Sequence, residues 1–179
     1  MSSSTVNTST AKVAGVAALV AGLIFAIAGI AVWVLVSTQL QAQKITVGED
    51  AGEAVPALSW TTGRTVGDPF TAYAQAEIID LHASASAEGY TYAELGSMVR
   101  EAEEAGDADR AAELQEQRTT VMNASFLRAS LFTSVVSYGV AAMAIVLGVL
   151  LVLGGLGLRQ VAAAVATTAP RAEKETDLD

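Results

Sequence analysis

The amino-acid sequence predicts an all-α membrane protein in which two transmembrane helices form a hairpin with a small, mostly helical extracytoplasmic cap. Three observations lead to this fold class. The chain of 179 residues is 52% hydrophobic and only 16% charged, against a charged share of about 25% in soluble globular domains. The apolar excess lies in two long uncharged segments, and the 92 residues between them hold the net charge of -9. So acidic a chain is not expected to bind nucleic acid.

The first apolar segment is residues 13–36, which are 24 consecutive residues without a charge. As an α-helix it would extend over about 36 Å, enough to cross a hydrocarbon core of about 30 Å with some tilt. A secretory signal is the alternative, but the apolar region of such a signal is only about 7 to 15 residues long. We therefore expect an uncleaved transmembrane helix.

The second apolar segment is residues 129–158, which are 30 uncharged residues bracketed by Arg128 and Arg159. Neither segment has a polar face, and a helix that is apolar all round needs either lipid or a very large core. A buried hairpin in a soluble protein is the alternative. The lengths favour a second transmembrane helix.

Small residues in the first apolar segment predict close helix packing. They form one helical stripe, made of Gly15, Ala18, Gly22, Ala26 and Gly29. In lipid such stripes let two backbones approach closely, and a seven-residue repeat favours a left-handed crossing. The expected partner is the region of Gly139 and Gly148. The alternative is that Gly and Ala are simply frequent in membrane helices.

The charge distribution favours one orientation in the cell membrane. The acidic loop, residues 37–128, holds six basic and fifteen acidic residues, whereas the outer segments 1–12 and 159–179 balance to zero. Because Lys and Arg near the spans favour the cytoplasmic side, we expect both termini in the cytoplasm and the acidic loop outside. The outer segments are polar and poor in large apolar residues, so we expect them to be largely disordered.

Local signals predict three helices in the acidic loop, near 69–87, 92–105 and 107–128. Asp68 followed by Pro69 is a favourable helix start, and Thr91 with Glu94 has the spacing of a capping box. Residues 107–138 contain no Gly or Pro, so the third helix can continue into the second apolar segment. Residues 39–67 are predicted to be irregular, with short strands at 44–47 and 59–62.

Three strings resemble a known family: DPFTAYAQAEII at 68–79, TYAEL at 91–95 and MNASFLRASLFTSV at 122–135. The chain is similar to a family of small actinobacterial two-span membrane proteins, from the first apolar segment to the second. Members are often labelled aromatic ring-opening dioxygenase of the LigA type. The resemblance implies the two-span topology, and the label implies a membrane-tethered dioxygenase.

The residue types themselves favour a non-enzymatic protein. A non-haem iron site uses a cluster such as two His and a carboxylate, whereas this chain contains only His82. Further ligands would have to come from residues such as Glu77 or Glu94. No cofactor or metal is therefore expected. Neither apolar segment holds an Asp, Glu, Lys, Arg or His, the residues that usually mark an ion path.

An interaction role remains, and polar residues near the start of the second apolar segment form the candidate contact surface. They are Asn123, Ser125, Phe126, Arg128, Ser130, Thr133 and Ser134. We expect Arg128 at the outer interface, reaching headgroups or carbonyls. The hydroxyls need either a neighbouring helix or their own backbone carbonyls.

The expected function is that of an accessory, assembly or stabilising subunit of a larger cell-envelope or respiratory membrane complex. Its expected partners are the lipid bilayer and either another membrane protein or further copies of this chain. The alternative is a membrane-tethered enzyme of the dioxygenase type.

Overall fold

The computed structural model describes residues 8–176, with side chains over 9–165. Five α-helices and one 3₁₀ helix make up this part of the chain. The helices are α1 (Thr8–Ala42), α2 (Ala51–Ala54), α3 (Pro69–Ser86), α4 (Tyr92–Glu104) and α5 (Ala108–Thr176), and the 3₁₀ helix is Pro56–Thr61. No strand occurs in residues 8–176, and a single isolated β-bridge joins Thr46 to Thr65. The described part of the chain is thus helical, with short turns and loops between the helices.

Two of these helices are long and apolar enough to span a membrane. They are Ser9–Ala42 and Ala108–Val165. Only 11% and 17% of the residues in their most apolar windows are buried within the protein, so most of these apolar side chains face outward.

The chain divides into two compact units, to which α1 and α5 each contribute. The paired-helix unit contains residues 8–33 and 140–176, and the central unit contains residues 34–139.

In the paired-helix unit, α1 and α5 run antiparallel at very close range. A Cβ on Gly15 would lie 3.0 Å from the carbonyl oxygen of Gly155, and one on Gly22 would lie 2.6 Å from that of Gly148. Likewise, a Cβ on Gly29 would lie 2.7 Å from the carbonyl oxygen of Ala141. The contacts therefore advance by seven residues on α1 as they retreat by seven on α5.

The stripe of small residues lies largely at this contact. Gly15, Gly22 and Gly29 are buried, and Ala26 packs against Gly148. Ala18 lies at the edge, on a shallow apolar depression. The α5 contribution is the buried set Ala141, Gly148, Gly155 and Ala162, again seven residues apart.

Two expectations, one for the second apolar segment and one for the residues after it, differ from the structure. Of the two glycines expected at the contact, Gly148 lies there, whereas Gly139 has open space around its Cβ position and Gly155 supplies a second contact. Residues 159–176 of the outer segment 159–179 are helical rather than disordered. The residues after Arg159 are rich in Ala, and Ala favours helix over coil. This explains why α5 extends beyond the second apolar segment. Residues 8–12 are also helical, while 1–7 and 177–179 lie outside the described residues.

In the central unit, the cap signals of α3 and α4 form as the local sequence predicts. The Asp68 carboxylate accepts hydrogen bonds from the backbone N–H groups of Phe70 at 2.9 Å and Thr71 at 3.0 Å. At α4, the backbone N–H and the hydroxyl of Thr91 both donate to Glu94, and these bonds lower the pKa of that carboxyl. Both helix starts are therefore fixed by side chains.

The α4 helix packs on the beginning of α5 through a small apolar core. A left-handed turn at Gly106, with φ of +74°, connects the two helices. This conformation suits glycine, which lacks a Cβ. The core consists of Ala87, Leu95, Val99, Ala102, Ala111 and Leu114, with Met98 and Val121 against it.

The two short strands predicted before α3 are wrong. Residues 59–61 belong to the 3₁₀ helix, where Pro56 occupies the first turn and the Thr61 hydroxyl bonds to the carbonyl of Leu58. Of residues 44–47, only Thr46 makes a bridge. Thr and Trp favour strands, but in this segment local hydrogen bonds within the 3₁₀ helix pair the backbone groups that a strand would otherwise use.

Candidate functional site

The candidate site lies in the central unit, where α3 contacts α5. Ala72, Ala74, Ala76 and Ile78 of α3 are buried, so small side chains allow this helix to lie close to its neighbours. Contacts along α3 then fix its direction. Tyr73 meets Phe132 edge-on at 5.7 Å between ring centroids, and Glu77 and Asp80 meet Arg128. The start of α3 thus lies beside residues C-terminal to Arg128 on α5.

Arg128 ties α3 to α5 through two carboxylates. Its Nη1 donates to Asp80 at 3.0 Å, and its Nη2 donates to Glu77 at 3.3 Å. The guanidinium also lies 5.3 Å from the centre of the Phe132 ring. This corrects the expectation that Arg128 reaches lipid headgroups or carbonyls, because two acids one turn apart on α3 offer a closer anionic partner.

Tyr138 forms a second tie, which the sequence reasoning did not single out. Its hydroxyl donates to the carbonyl of Gly67 at 2.8 Å, and the Ser37 hydroxyl lies 2.9 Å from it. Since the phenol proton goes to Gly67, Ser37 donates to Tyr138. Tyr138 is only 1% exposed. An aromatic hydroxyl inside an apolar segment needs a hydrogen-bond partner. This need was the feature of the sequence that could have identified Tyr138 as a contact residue.

An apolar groove of about 780 Å³ lies between the end of α1, α3 and α5. Its size falls within the range of about 300 to 1,000 Å³ typical of ligand pockets. Seven apolar side chains form its walls, namely Leu35, Val36, Leu40, Ile45, Ile79, Leu127 and Leu131. Its polar groups are Gln39, Gln43, Gln75, Ser130 and Ser134. The groove therefore combines an apolar surface with several amide and hydroxyl groups.

The candidate contact residues do not form one surface in the structure. Ser130 and Ser134 line the groove, whereas Ser125 and Arg128 line a smaller cavity of about 260 Å³ beside Asp80. Asn123 and Thr133 are exposed, and so is Phe126.

Three of the hydroxyls among these residues bond to their own helix. Ser125 donates to the carbonyl of Val121, Thr133 to that of Ala129 and Ser134 to that of Ser130. Of the two alternatives for these hydroxyls, the structure shows the intrahelical one. Their chemistry does not by itself require a partner.

His82 pairs with a carboxylate that the sequence did not single out. Its Nε2 is 2.8 Å from Oδ2 of Asp50, at the start of α2. The His82 side chain is 61% exposed and that of Asp50 44%. Within the described residues, no group of three or more His, Asp or Glu side chains could hold a metal ion.

A cluster of exposed aromatic residues lies just before and at the start of α3. Trp60 and Phe70 contact each other with ring centroids 5.9 Å apart, and the Arg64 guanidinium lies 4.9 Å from the centre of the Trp60 ring. Both rings are more than half exposed, at 52% and 55%. We call Trp60, Arg64 and Phe70 the aromatic cluster.

Comparison of the chain with family models, curated proteins and solved structures finds no match.

Proposed function

We propose that this protein is a two-span integral membrane protein that serves as an accessory, assembly or stabilising subunit of a larger cell-envelope or respiratory membrane complex. The observation that carries the proposal is the apolar groove of the central unit. We propose that it receives the extracytoplasmic end of a transmembrane helix of a partner protein.

Helix lengths in the paired-helix unit support the membrane assignment. The uncharged parts of α1 and α5 in this unit are residues 13–33 and 140–158. At 1.5 Å per residue they extend over about 31 Å and about 29 Å, close to a hydrocarbon core of about 30 Å. The remainder of the long second apolar segment belongs to the central unit, where Leu131 and Tyr138 are buried by protein. In this assignment residues 129–139 pack against the cap.

The groove has the composition that a partner helix needs near a membrane boundary. Leu35 and Leu127 on its walls are more than half exposed, so they offer van der Waals contact to another helix. Gln39 and Ser130 are also exposed and can hydrogen-bond to it. Because the groove lies beyond the spans 13–33 and 140–158, burial of its apolar walls adds to the packing and the interhelical hydrogen bonds that join the two helices.

Site-specific crosslinking tests the groove as a partner site. Benzoylphenylalanine replaces Leu127 in the groove or, as a matched control, Val136, an exposed residue of the same helix that does not line the groove. With the full chain at native expression, we expect one protein adduct of constant mass from position 127 and none from position 136. The same adduct should disappear when Ser130→Trp fills the groove.

Three results would contradict the partner role. An adduct at twice the mass of the chain would identify a second copy as the occupant. Adducts with lipid alone would identify a lipid site. An unchanged adduct in the Ser130→Trp variant would place the contact outside the groove.

The proposed orientation has both termini in the cytoplasm and residues 37–128 outside. It rests on the concentration of fifteen acidic and only six basic residues in that segment. Compartment-specific reporters at the C-terminus and near Gly52 test it. Activity of a cytoplasmic reporter at Gly52 would reverse the orientation.

A further inference from the structure

The aromatic cluster is held on an ordered backbone although its rings face outward. The segment that carries it pairs with the chain after α1, through hydrogen bonds from Val47 to the carbonyl of Arg64 at 2.9 Å and from Val66 to that of Ile45 at 2.8 Å. Thr61 and Val66, inside the same segment, are fully buried. The position of the two exposed rings is therefore fixed by the fold.

The contacts of α3 place this cluster at one particular end of the central unit. Along α3 from Asp80 to Tyr73, the contacts on α5 move from Arg128 to Phe132. Phe70 lies almost one turn further in the same direction. Just before it, Gly67 bonds to Tyr138 and packs against Gln41 near the end of α1. The aromatic cluster thus lies at the end of the central unit that contains Tyr138 of α5.

We propose that Trp60, Arg64 and Phe70 form an interfacial anchor that lies in the headgroup region of the bilayer. This inference rests on the proposed membrane function and extends it to a lipid contact of the cap itself. Trp is enriched at membrane–water interfaces because its ring is amphipathic. The Trp60 ring, together with Phe70, inserts beside the glycerol and upper acyl region. Arg64 faces the lipid phosphates. Its side chain is half exposed, and its Nη2 lies 3.8 Å from Oδ2 of Asp68.

Trp fluorescence tests the anchor directly, because the chain contains only two Trp residues. Trp33→Phe leaves Trp60 as the sole emitter, and Trp60→Phe leaves Trp33, which lies within the first apolar segment. Each full-length variant is reconstituted into phosphatidylcholine vesicles whose acyl chains carry bromine near either the headgroup or the chain end. We expect Trp60 to be quenched more strongly by the shallow bromine than by the deep one. Trp60 emission should also shift to longer wavelength in a Trp33→Phe/Phe70→Ser variant.

The outcomes separate this inference from the membrane assignment. If Trp33 is quenched by brominated lipid while Trp60 is quenched only by aqueous iodide, the anchor is wrong and the spans stand. If neither Trp responds to brominated lipid, the membrane assignment fails as well.

A second measurement does not depend on Trp. The chain has no Cys, so a nitroxide can be attached through Phe70→Cys or, at the opposite end of α3, through Ser86→Cys. Both residues are exposed. The anchor predicts that molecular oxygen relaxes the label at position 70 more than a polar nickel complex does, with the reverse order at position 86. Equal, water-like accessibility at both positions would overturn it.

Discussion

One of the close contacts between α1 and α5 can be tested with two adjacent glycines. In Gly155→Ala the new Cβ would lie 2.7 Å from the carbonyl oxygen of Gly15, whereas ordinary van der Waals contact begins at 3.4 Å. The obstructing atom belongs to the backbone, so the two helices must separate locally by about 0.7 Å. In Gly154→Ala nothing lies within 4 Å of the new Cβ.

The expected cost follows from this geometry. Overpacking a close contact destabilises by about 1 to 3 kcal/mol. Both variants gain the same helix propensity on replacing Gly by Ala, so their difference isolates the contact. Gly155→Ala should lower the ratio of closed to open helix pairs by about 5-fold to 150-fold relative to Gly154→Ala.

Energy transfer between two dyes measures that ratio. The chain has no Cys, so dyes can be attached through Val13→Cys on α1 and Val161→Cys on α5, both exposed positions. Titration of a mild detergent solution with a denaturing detergent separates the helices. Identical midpoints for Gly155→Ala and Gly154→Ala would refute the close contact.

Three further predictions concern the central unit. Asp68→Ala removes the cap of α3 and should lower the free energy of unfolding by about 1 kcal/mol in denaturant titrations; no change would mean that the cap bonds add no net stability. The pKa of Glu94 is lowered in the folded protein, first by the backbone N–H of Thr91 and then by its hydroxyl. The capping box of Thr91 and Glu94 is therefore fully stabilising at pH values above the ordinary pKa of glutamate. It loses this stabilisation as the pH falls through the lowered pKa of Glu94. Between neutral and acidic pH, the melting temperature should fall less for Glu94→Gln than for the unchanged chain. Equal decreases would show that the pH dependence does not come from Glu94. Arg128→Ala leaves Glu77 without its cation, so proteolysis of residues 37–128 should accelerate; Arg128→Lys should restore protection only in part, because Lys lacks the planar fork.

Local chemistry made the helices of the acidic loop predictable. Asp68 with Pro69, and Thr91 with Glu94, act within one turn of chain, so their effect can be derived without the fold. The 3₁₀ helix escaped prediction for a related reason. The segment after Pro56 contains residues of high β-propensity, and strand formation depends on a partner strand that the fold does not supply.

Long-range partners were less predictable. Arg128 meets Glu77 and Asp80, which are 51 and 48 residues away in the chain, and its charge alone cannot distinguish a carboxylate from a lipid phosphate. The spacing of Glu77 and Asp80, about one helical turn, was a signal that α3 presents two acids on one side. The groove could not be derived at all, because it depends on how three helices converge.

The seven-residue spacing on both long helices has a consequence for movement along their axes. Sliding α1 by seven residues, about 10.5 Å, would again set glycine against small residues, with Gly22 opposite either Ala141 or Gly155. A slide of three or four residues would instead bring larger side chains of α1, such as Phe25 or Leu19, opposite Gly148 or Gly155. Registers that differ by seven residues would therefore preserve the close approach of the two backbones, whereas the registers between them would not.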